Sequence, residues 1–202
     1  MNSLGVGDGA GINIDLSVEF FSKLINKKLS KGNFCIGNFF MPADTKRINK
    51  CKDLIFSTLR ANGLEIELCR KIPTDAEAVN KSSLAEQQQI YQFIILKPSN
   101  ISCAKFESKL NVALLSINKT IYYEKVYSGL FPLSLSSKVQ VLKGRLNSGE
   151  VIKYFKDLSN SDMKISMLFF HTRFSTNTAP ATSMAQPFQF IAHNGELNTD
   201  KK

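Results

Sequence analysis

Residues 131–143, FPLSLSSKVQVLK, decide the fold class of this chain. They contain two apolar, strand-like segments, Phe131–Leu135 and Val139–Lys143, with only three residues between them. Parallel neighbours in a sheet need a crossover of about a dozen residues, which is usually a helix. The stretch therefore favours antiparallel sheets layered with helices, an α+β class, over a parallel array of alternating strands and helices.

The segments on either side repeat this mixture of strands and helices. Alternating or continuous apolar runs predict further strands, and apolar residues at helical spacing predict helices. The predicted strands cover Asn33–Met41, Leu64–Cys69, Ile90–Leu96, Ile165–Phe170 and Phe188–Ala192, and the last two are expected to be buried. The predicted helices cover Leu16–Lys27, the residues from an Asp44 cap to a stop at Gly63, Phe106–Ile117, and Gly149–Leu158 with Val151, Ile152 and Phe155 buried. Four glycines between Gly5 and Gly11 predict a tight loop.

Length and composition indicate a folded protein of ordinary size. The chain has 202 residues, of which 43% are hydrophobic and 21% charged, and this balance is unlike that of disordered chains. No apolar run approaches the roughly 18 residues of a membrane span, and the first residues after Met1 lack the features of a secretory signal. We expect a cytoplasmic protein without a membrane partner.

The net charge of +9 raises the possibility of nucleic-acid binding. Of the 26 basic residues, however, 21 are Lys and only five are Arg. Lys is typical of solvated surfaces, whereas Arg provides the forked contacts that read phosphates and bases. The lysines are also spread along the chain. We therefore expect no nucleic-acid partner.

The cysteine and glycine patterns predict neither a metal site nor a nucleotide site. The four cysteines, Cys35, Cys51, Cys69 and Cys103, include no CxxC pair, so buried free thiols are expected instead of a zinc site or a disulfide framework. The residues Gly5, Gly7 and Ala10 satisfy a G-x-G-x-x-A pattern. No strand can precede them, and the pattern has its dinucleotide-binding meaning only after a strand.

Polar and turn-forming residues are concentrated from His171 to Thr199, and two groups there could carry chemistry. Arg173 follows a predicted strand, and its guanidinium could grip a carboxylate through two hydrogen bonds; a structural ion pair is the alternative. In His193-Asn194-Gly195, the Asn amide and the Gly N–H could converge on one oxyanion. A type I′ hairpin turn is the alternative there.

Together these motifs resemble the glutamine amidotransferase domain of the glutamate synthase large subunit, a class II, N-terminal-nucleophile amidotransferase. The similarity rests first on RFSTNT, AQPF and AHNGE-NT in residues 173–199. Further segments similar to the family follow in the same order along the chain: GDGAGI at 7–12, the Phe20-Phe21 pair, FFMP at 39–42, LSS at 135–137, VLKG at 141–144, and YF and DL within 154–158.

The resemblance implies a fold and a set of roles. The family fold is a four-layer αββα sandwich, of which residues 1–202 would form one partial domain, truncated at both ends. Arg173 corresponds to the residue that holds the α-carboxylate of glutamine. Asn194, through its side chain, and Gly195, through its N–H, correspond to the oxyanion hole, while His193 is structural. No cofactor or metal is expected in this chain, because the FMN and the iron–sulfur cluster of the parent enzyme belong to later domains.

The resemblance also implies a nucleophile that we do not find among these residues. The family attacks the glutamine amide with a cysteine at residue 1, whose own α-amino group is the base. This chain begins Met1-Asn2, and none of its four cysteines matches. Asp200 likewise does not match the acid that contacts the glutamine amino group.

We therefore expect a fragment of the glutaminase domain that is inactive alone and binds glutamine weakly or not at all. The remaining segments of a glutamate synthase are its expected partners. The isolated chain should be poorly soluble or partly ordered, since a missing strand leaves an open sheet edge. The alternative is a non-catalytic binding or assembly module, or a pseudogene product, derived from that domain.

Overall fold

The structure is a computed structural model, and it describes residues 9–79, 81–172, 174 and 181–191. Strands and helices are mixed along this part of the chain, as the sequence predicts. The strands are β1 (Ala10–Asp15), β2 (Phe34–Met41), β3 (Ile66–Lys71), β4 (Gln89–Leu96), β5 (Phe131–Ser136), β6 (Val139–Gly144) and β7 (Leu168–His171). The helices are α1 (Val18–Ile25), α2 (Thr45–Ala61), α3 (Lys81–Ala85), α4 (Cys103–Tyr123) and α5 (Val151–Tyr154).

The strands form two sheets. A three-stranded sheet has the order β6-β1-β7, and a four-stranded sheet has the order β3-β4-β2-β5. Every pair of neighbouring strands in both sheets is antiparallel. This confirms the predicted class of antiparallel sheets combined with helices.

Strands β5 and β6, which decided the fold class in the sequence, belong to different sheets. β5 pairs with β2 in the four-stranded sheet, and β6 pairs with β1 in the three-stranded sheet. The link between them is held by Glu107 of α4. Its carboxylate accepts hydrogen bonds from the Ser136 hydroxyl at 2.9 Å, from the Ser137 N–H at 3.0 Å, and from the Ser137 hydroxyl. The predicted pair of strands is therefore the passage from one sheet to the other.

Helices α2 and α4 cover one face of the four-stranded sheet. The apolar stripe of α2 begins after the predicted cap, Asp44, whose side chain accepts a hydrogen bond from the Lys46 N–H. The α2 stripe packs with the buried face of α4 against β2, β4 and β5. The fully buried residues of the resulting core cluster include Cys35, Phe39, Cys51, Ile55, Leu59, Phe93, Phe106, Leu110, Ala113, Ile117 and Leu135.

The opposite face of the four-stranded sheet packs against the three-stranded sheet, α5 and α1. One apolar cluster joins Phe40 and Leu133 to Val141 of β6 and Phe155. A second cluster joins Ile94 to α1. In the described residues, no helix is both long enough and apolar enough to cross a membrane.

The first strand was not predicted. The glycine-rich segment was expected to be a loop as far as Gly11, but Ala10 and Gly11 lie in β1, the central strand of the three-stranded sheet. Gly11 pairs with β6 on one side and β7 on the other. The prediction was wrong at these two residues because glycine here permits close packing between strands, not a turn. The part of the predicted loop before Gly9 lies outside the described residues.

The predicted helix Gly149–Leu158 is mostly 3₁₀ in form, and its α-helical part is the single turn of α5. Phe155 leaves the helical conformation and forms a β-bridge with Thr74. Phe155 is buried, as predicted, whereas Ile152 of α5 faces outward. Ile152 is 61% exposed, so the prediction that it is buried was wrong.

The predicted burial of the last two apolar segments was also wrong. β7 forms, but Leu168, Phe169 and Phe170 are all about half exposed or more. β7 is an edge strand with β1 as its only partner in the described sheet. Residues 188–191 form no regular strand, and Phe190 and Ile191 are exposed. Ala192 lies outside the described residues.

Candidate active site

The predicted site residues Arg173, His193, Asn194 and Gly195 lie outside the described residues. Their described neighbours show which part of the fold leads to them. Arg173 comes two residues after His171, the last residue of β7, and Asn194 comes three residues after Ile191. The geometry of the candidate site is therefore that of the end of β7 and of the segment 181–191.

Three strand ends lie side by side at one end of the three-stranded sheet. Gly11, near the start of β1, pairs with Lys143 near the end of β6 and with His171 at the end of β7. The chain leaves β7 toward Arg173 from this row. Loops that follow strands at one edge of a rigid sheet are a common place for binding groups.

Glycines at this end of the sheet allow unusually close packing. A Cβ atom at Gly9 would lie 1.9 Å from the Phe174 ring, and Gly9 has φ +133°. A Cβ atom at Gly11 would lie 2.4 Å from the Lys143 Cβ and 2.8 Å from the Pro187 Cδ. All three separations are too short for a real side chain. Gly9 and Gly11 thus pack directly against Phe174 and Pro187, which lie in the sequence between Arg173 and His193.

The segment 181–191 is tied to both sheets by side chains. Asn13 of β1 donates a hydrogen bond from Nδ2 to the Phe188 carbonyl at 3.0 Å. The Gln189 amide reaches the edge of the four-stranded sheet, where it bonds the N–H and the carbonyl of Leu135. The Gln186–Pro187 peptide bond within this segment is cis.

Lys143 is a buried cation at the end of the three-stranded sheet described above, and sequence reasoning did not select it as a site residue. It is 1% exposed. Its Nζ donates to the carbonyls of Ser183 at 3.4 Å, Ala185, and Pro187 at 3.5 Å. The same nitrogen lies 4.8 Å from the centre of the Phe188 ring. Burial lowers the pKa of Lys143 to about 7. A lysine within a largely apolar strand, next to Val141 and Leu142, was the only sequence signal for this group.

A cavity of about 540 Å³ opens beside Lys143, between α4, β5 and residues 188–191. Apolar side chains, among them Leu114, Phe131 and Phe190, form much of its wall. Glutamine is a zwitterion and needs charged partners for both its ammonium and its carboxylate. Lys143 is the only charged side chain in the described wall, and its Nζ already has carbonyl partners. The cavity is therefore poorly suited to glutamine.

The four cysteines lie where the sequence predicts: Cys35 on β2, Cys51 on α2, Cys69 on β3 and Cys103 at the start of α4. All four are free thiols. Burial raises the pKa of the Cys35 thiol well above its ordinary value, and it also raises the pKa of Cys51 and Cys69. A reactive cysteine needs the opposite, a stabilised thiolate. Cys103 is exposed.

The described residues contain no group of three or more His, Cys, Asp or Glu side chains that could hold a metal ion. The four thiols lie on four different elements, β2, α2, β3 and α4, and do not form a cluster. An iron–sulfur cluster, which requires several thiolates close together, has no fitting ligand set among them.

Comparison with known families decides the identity of the chain. A family model described as "Glutamine amidotransferases class-II" matches residues 3–201. The chain belongs to the class-II glutamine amidotransferase family. The motifs at 173–199 lie within the matched region. The Gly9 backbone packs against the Phe174 ring, so a residue of the first motif contacts a residue of the last group of motifs.

Several relatives of this chain are glutamate synthases. It is 28% identical over 199 residues to the glutamate synthase [NADPH] large chain of Azospirillum brasilense, covering 96% of this chain. It is 33% identical over 199 residues to the ferredoxin-dependent glutamate synthase of Pyropia yezoensis, with the same coverage. It is 29% identical over 213 residues to glutamate synthase [NADH] of Saccharomyces cerevisiae, covering 98% of this chain. The chain spans 10–13% of the length of these proteins.

Proposed function

We propose that this chain is a segment of a glutaminase domain that serves a glutamate synthase. The reaction would release ammonia from the side-chain amide of glutamine and pass it to 2-oxoglutarate to make glutamate. The observation that carries the proposal is the family match over residues 3–201, together with glutamate synthase relatives that align over nearly the whole chain. The remaining segments of such an enzyme would be its partners.

In this proposal, each site residue has a chemical reason for its role. The Arg173 guanidinium can hold the glutamine α-carboxylate through two parallel hydrogen bonds. The Asn194 amide and the Gly195 N–H can stabilise the oxyanion that forms when the amide carbonyl is attacked. Support comes from the described residues next to them in sequence, since His171 and the segment 181–191 both lie at the end of the sheet formed by β1, β6 and β7.

We further propose that the two sheets belong to a four-layer αββα sandwich. Helices α2 and α4 would be one outer layer, and the two sheets would be the central layers. The exposed apolar residues of β7 support a further layer over the three-stranded sheet, because an apolar edge strand is normally covered. Within this arrangement residues 1–202 would be part of one domain.

We propose that no thiol among these four cysteines attacks glutamine, so the 202 residues are inactive by themselves. Burial raises the pKa of Cys35, Cys51 and Cys69, which favours the unreactive thiol form. Cys103 is exposed on α4, in the helical layer that covers the four-stranded sheet. The nucleophile would then be supplied from outside these residues, and glutamine would bind weakly or not at all to them alone.

We propose that the iron–sulfur cluster of a glutamate synthase would be held by other segments, since the thiols described above do not cluster, and that its flavin would also be held there. Four free thiols are typical of a reducing compartment. We therefore propose a cytoplasmic location.

Thiol trapping tests the proposal about the nucleophile. The chain would be incubated with a diazoketone analogue of glutamine and each cysteine examined by peptide mass spectrometry. No cysteine should form an adduct with the analogue. A non-specific alkylating reagent serves as the control, and it should label Cys103 before the other three. A glutamine-protected adduct on any of the four would contradict the proposal.

Activity measurements test the function itself. The chain would be supplied with a segment carrying an N-terminal cysteine, and ammonia release from glutamine would be measured. Asn194→Ala should lower kcat by about 10²–10³-fold. Arg173→Ala should chiefly raise KM, while the matched control Arg60→Ala, an exposed residue on α2, should change neither constant. If no glutamine-dependent activity or binding appears, the chain is instead a non-catalytic binding or assembly module.

A further inference from the structure

We propose that Lys143 is a positioning residue whose ammonium group fixes the segment 183–188. This part of the proposal rests on described contacts alone. Its consequence rests on the proposed function: the same segment continues to Asn194 and Gly195, so Lys143 would set the position of the oxyanion hole without touching glutamine.

The contacts of Lys143 match the bonding capacity of an ammonium group. Its three N–H bonds meet three backbone carbonyls, those of Ser183, Ala185 and Pro187. None of these partners is charged, and no carboxylate contacts Nζ in the described part of the chain. The group is nevertheless 1% exposed. Burial of a cation without a counter-ion is costly, so a simple structural position would more readily hold an apolar side chain.

No described strand hydrogen-bonds to the carbonyls that Lys143 binds. Residues 183, 185 and 187 alternate along the chain, and the segment belongs to neither sheet. Buried backbone carbonyls need partners. The lysine supplies hydrogen bonds that a neighbouring strand would otherwise donate, so the positions of Ser183, Ala185 and Pro187 depend on this side chain.

Pro187 and Phe188 are held by further contacts with β1 and with Lys143. Gly11 pairs with Lys143 and leaves space for Pro187. The Phe188 ring lies against the ammonium group, and its carbonyl accepts a hydrogen bond from Asn13. The segment is thus held at four successive points before it continues toward Asn194.

Hydrogen exchange measured by mass spectrometry on the whole chain tests the first part. Lys143→Met keeps the length of the side chain but removes its charge and its donors. Exchange in peptides covering 183–191 should be at least tenfold faster than in the wild type, while β2 and β4 remain protected. Lys97→Met is the matched control, because Lys97 also donates to two backbone carbonyls, those of Pro98 and Ile101. It should leave 183–191 unchanged.

Two results would overturn the proposal. One is an unchanged exchange rate in 183–191 after Lys143→Met, and the other is an equal increase throughout β2 and β4, which would indicate a general loss of stability. If Lys143→Met does not fold, Lys143→Arg provides the second variant. It retains the charge and donors and should retain most of the protection, whereas loss of protection confined to 183–191 in Lys143→Arg would count against a role for the donors.

The consequence for catalysis has its own readout. In the assembly with an N-terminal cysteine, Lys143→Met should lower kcat at least tenfold and leave KM within twofold, since the residue does not contact glutamine. Faster exchange without any glutamine hydrolysis by the wild-type assembly would support the positioning role and reject the proposed function. Normal kcat in a variant with faster exchange would reject the link to the oxyanion hole.

Discussion

The side chain of Gln189 hydrogen-bonds both backbone groups of Leu135. The Leu135 N–H donates to Gln189 Oε1 at 2.7 Å, and Gln189 Nε2 donates to the Leu135 carbonyl at 3.3 Å. Leu135 lies on β5, at the edge of the four-stranded sheet. The amide therefore pairs with the strand edge as a neighbouring backbone would.

Replacement of this amide should destabilise the protein. Gln189→Met keeps the approximate size of the side chain but leaves the N–H and carbonyl of the buried Leu135 without these partners. We expect the free energy of unfolding to fall by about 1–3 kcal/mol, measured by urea denaturation. The control is Gln88→Met, whose side chain makes no hydrogen bond in the described part of the chain. Equal stability of the two variants would show that the Leu135 contact contributes nothing.

The ion pair between Arg70 and Asp157 should contribute more than an exposed pair. Their side chains are 16% and 13% exposed, and Arg70 also binds Gln92 Oε1 at 2.7 Å. Arg70→Met leaves the Asp157 carboxylate without its counter-ion, and we expect a loss of about 3 kcal/mol in the free energy of unfolding.

The exposed pair Lys23–Asp162 gives the matched control for this change. Its nitrogen and oxygen are 2.7 Å apart, but the Lys23 side chain is 70% exposed. Lys23→Met should cost less than about 1 kcal/mol. A similar loss in the two variants, measured by urea denaturation, would indicate that burial does not strengthen the Arg70 pair.

Lys143 should make stability depend on pH. Its pKa is lowered to about 7 from an ordinary value of 10.5, so between these values the unfolded chain binds the additional proton. Stability should therefore increase as pH rises through this window, by at most about 1.4 kcal/mol per pH unit. The three carbonyl partners favour the ammonium form, so the measured slope should be smaller than this limit.

This dependence is best measured between pH 7 and 8.5, with urea denaturation of the wild type and of Lys143→Met. The raised pKa values of Cys35, Cys51 and Cys69 act in the opposite direction at higher pH, but they are common to both proteins. The difference in stability between the two should shift in favour of the wild type as pH rises. Parallel curves would show that Lys143 does not titrate in this range.

The exposed strand β7 should cause the isolated chain to associate. Phe170 is 69% exposed on an edge strand, next to Phe169 and Leu168, which are also exposed. Edge strands of this kind promote pairing between molecules, and a charged residue prevents it. Phe170→Lys should therefore increase the monomer fraction, measured by sedimentation velocity, and this variant is a suitable background for the unfolding measurements.

Tyr122→Lys is the control for the association experiment. Tyr122 is 83% exposed but lies on α4, away from β7. Lysine at this position adds the same charge and should change the monomer fraction little. If both variants, or neither, increase the monomer fraction, association does not depend on the edge of β7.

The parts of the fold that the sequence predicted are those with local causes. Asp44 caps α2 because its carboxylate is adjacent to free N–H groups, and β2 is recognisable because all of its residues are buried and most are apolar. β1 was missed because glycine at position 11 is ambiguous: it permits a turn, but here it permits contact with Lys143 and Pro187. The partner of each strand depends on distant residues, and no local pattern specifies it.

The site could be predicted only through motifs. Arg173, Asn194 and Gly195 were candidates from their chemistry, and the resemblance gave their roles; their arrangement stays a prediction because they lie outside the described residues. Lys143 was quoted within a motif but not selected, since residue type alone does not reveal burial. Most lysines in a protein are solvated, and only the packing of residues 183–188 over β6 identifies this one as different.

The position of β1 in the three-stranded sheet has a consequence for synthesis on the ribosome. Both strands that flank it, β6 and β7, are encoded more than a hundred residues later. Ala10–Asp15 therefore emerges before either of its strand partners and stays unpaired until β6 and β7 have been translated. Pairing between strands so remote in sequence makes folding slow.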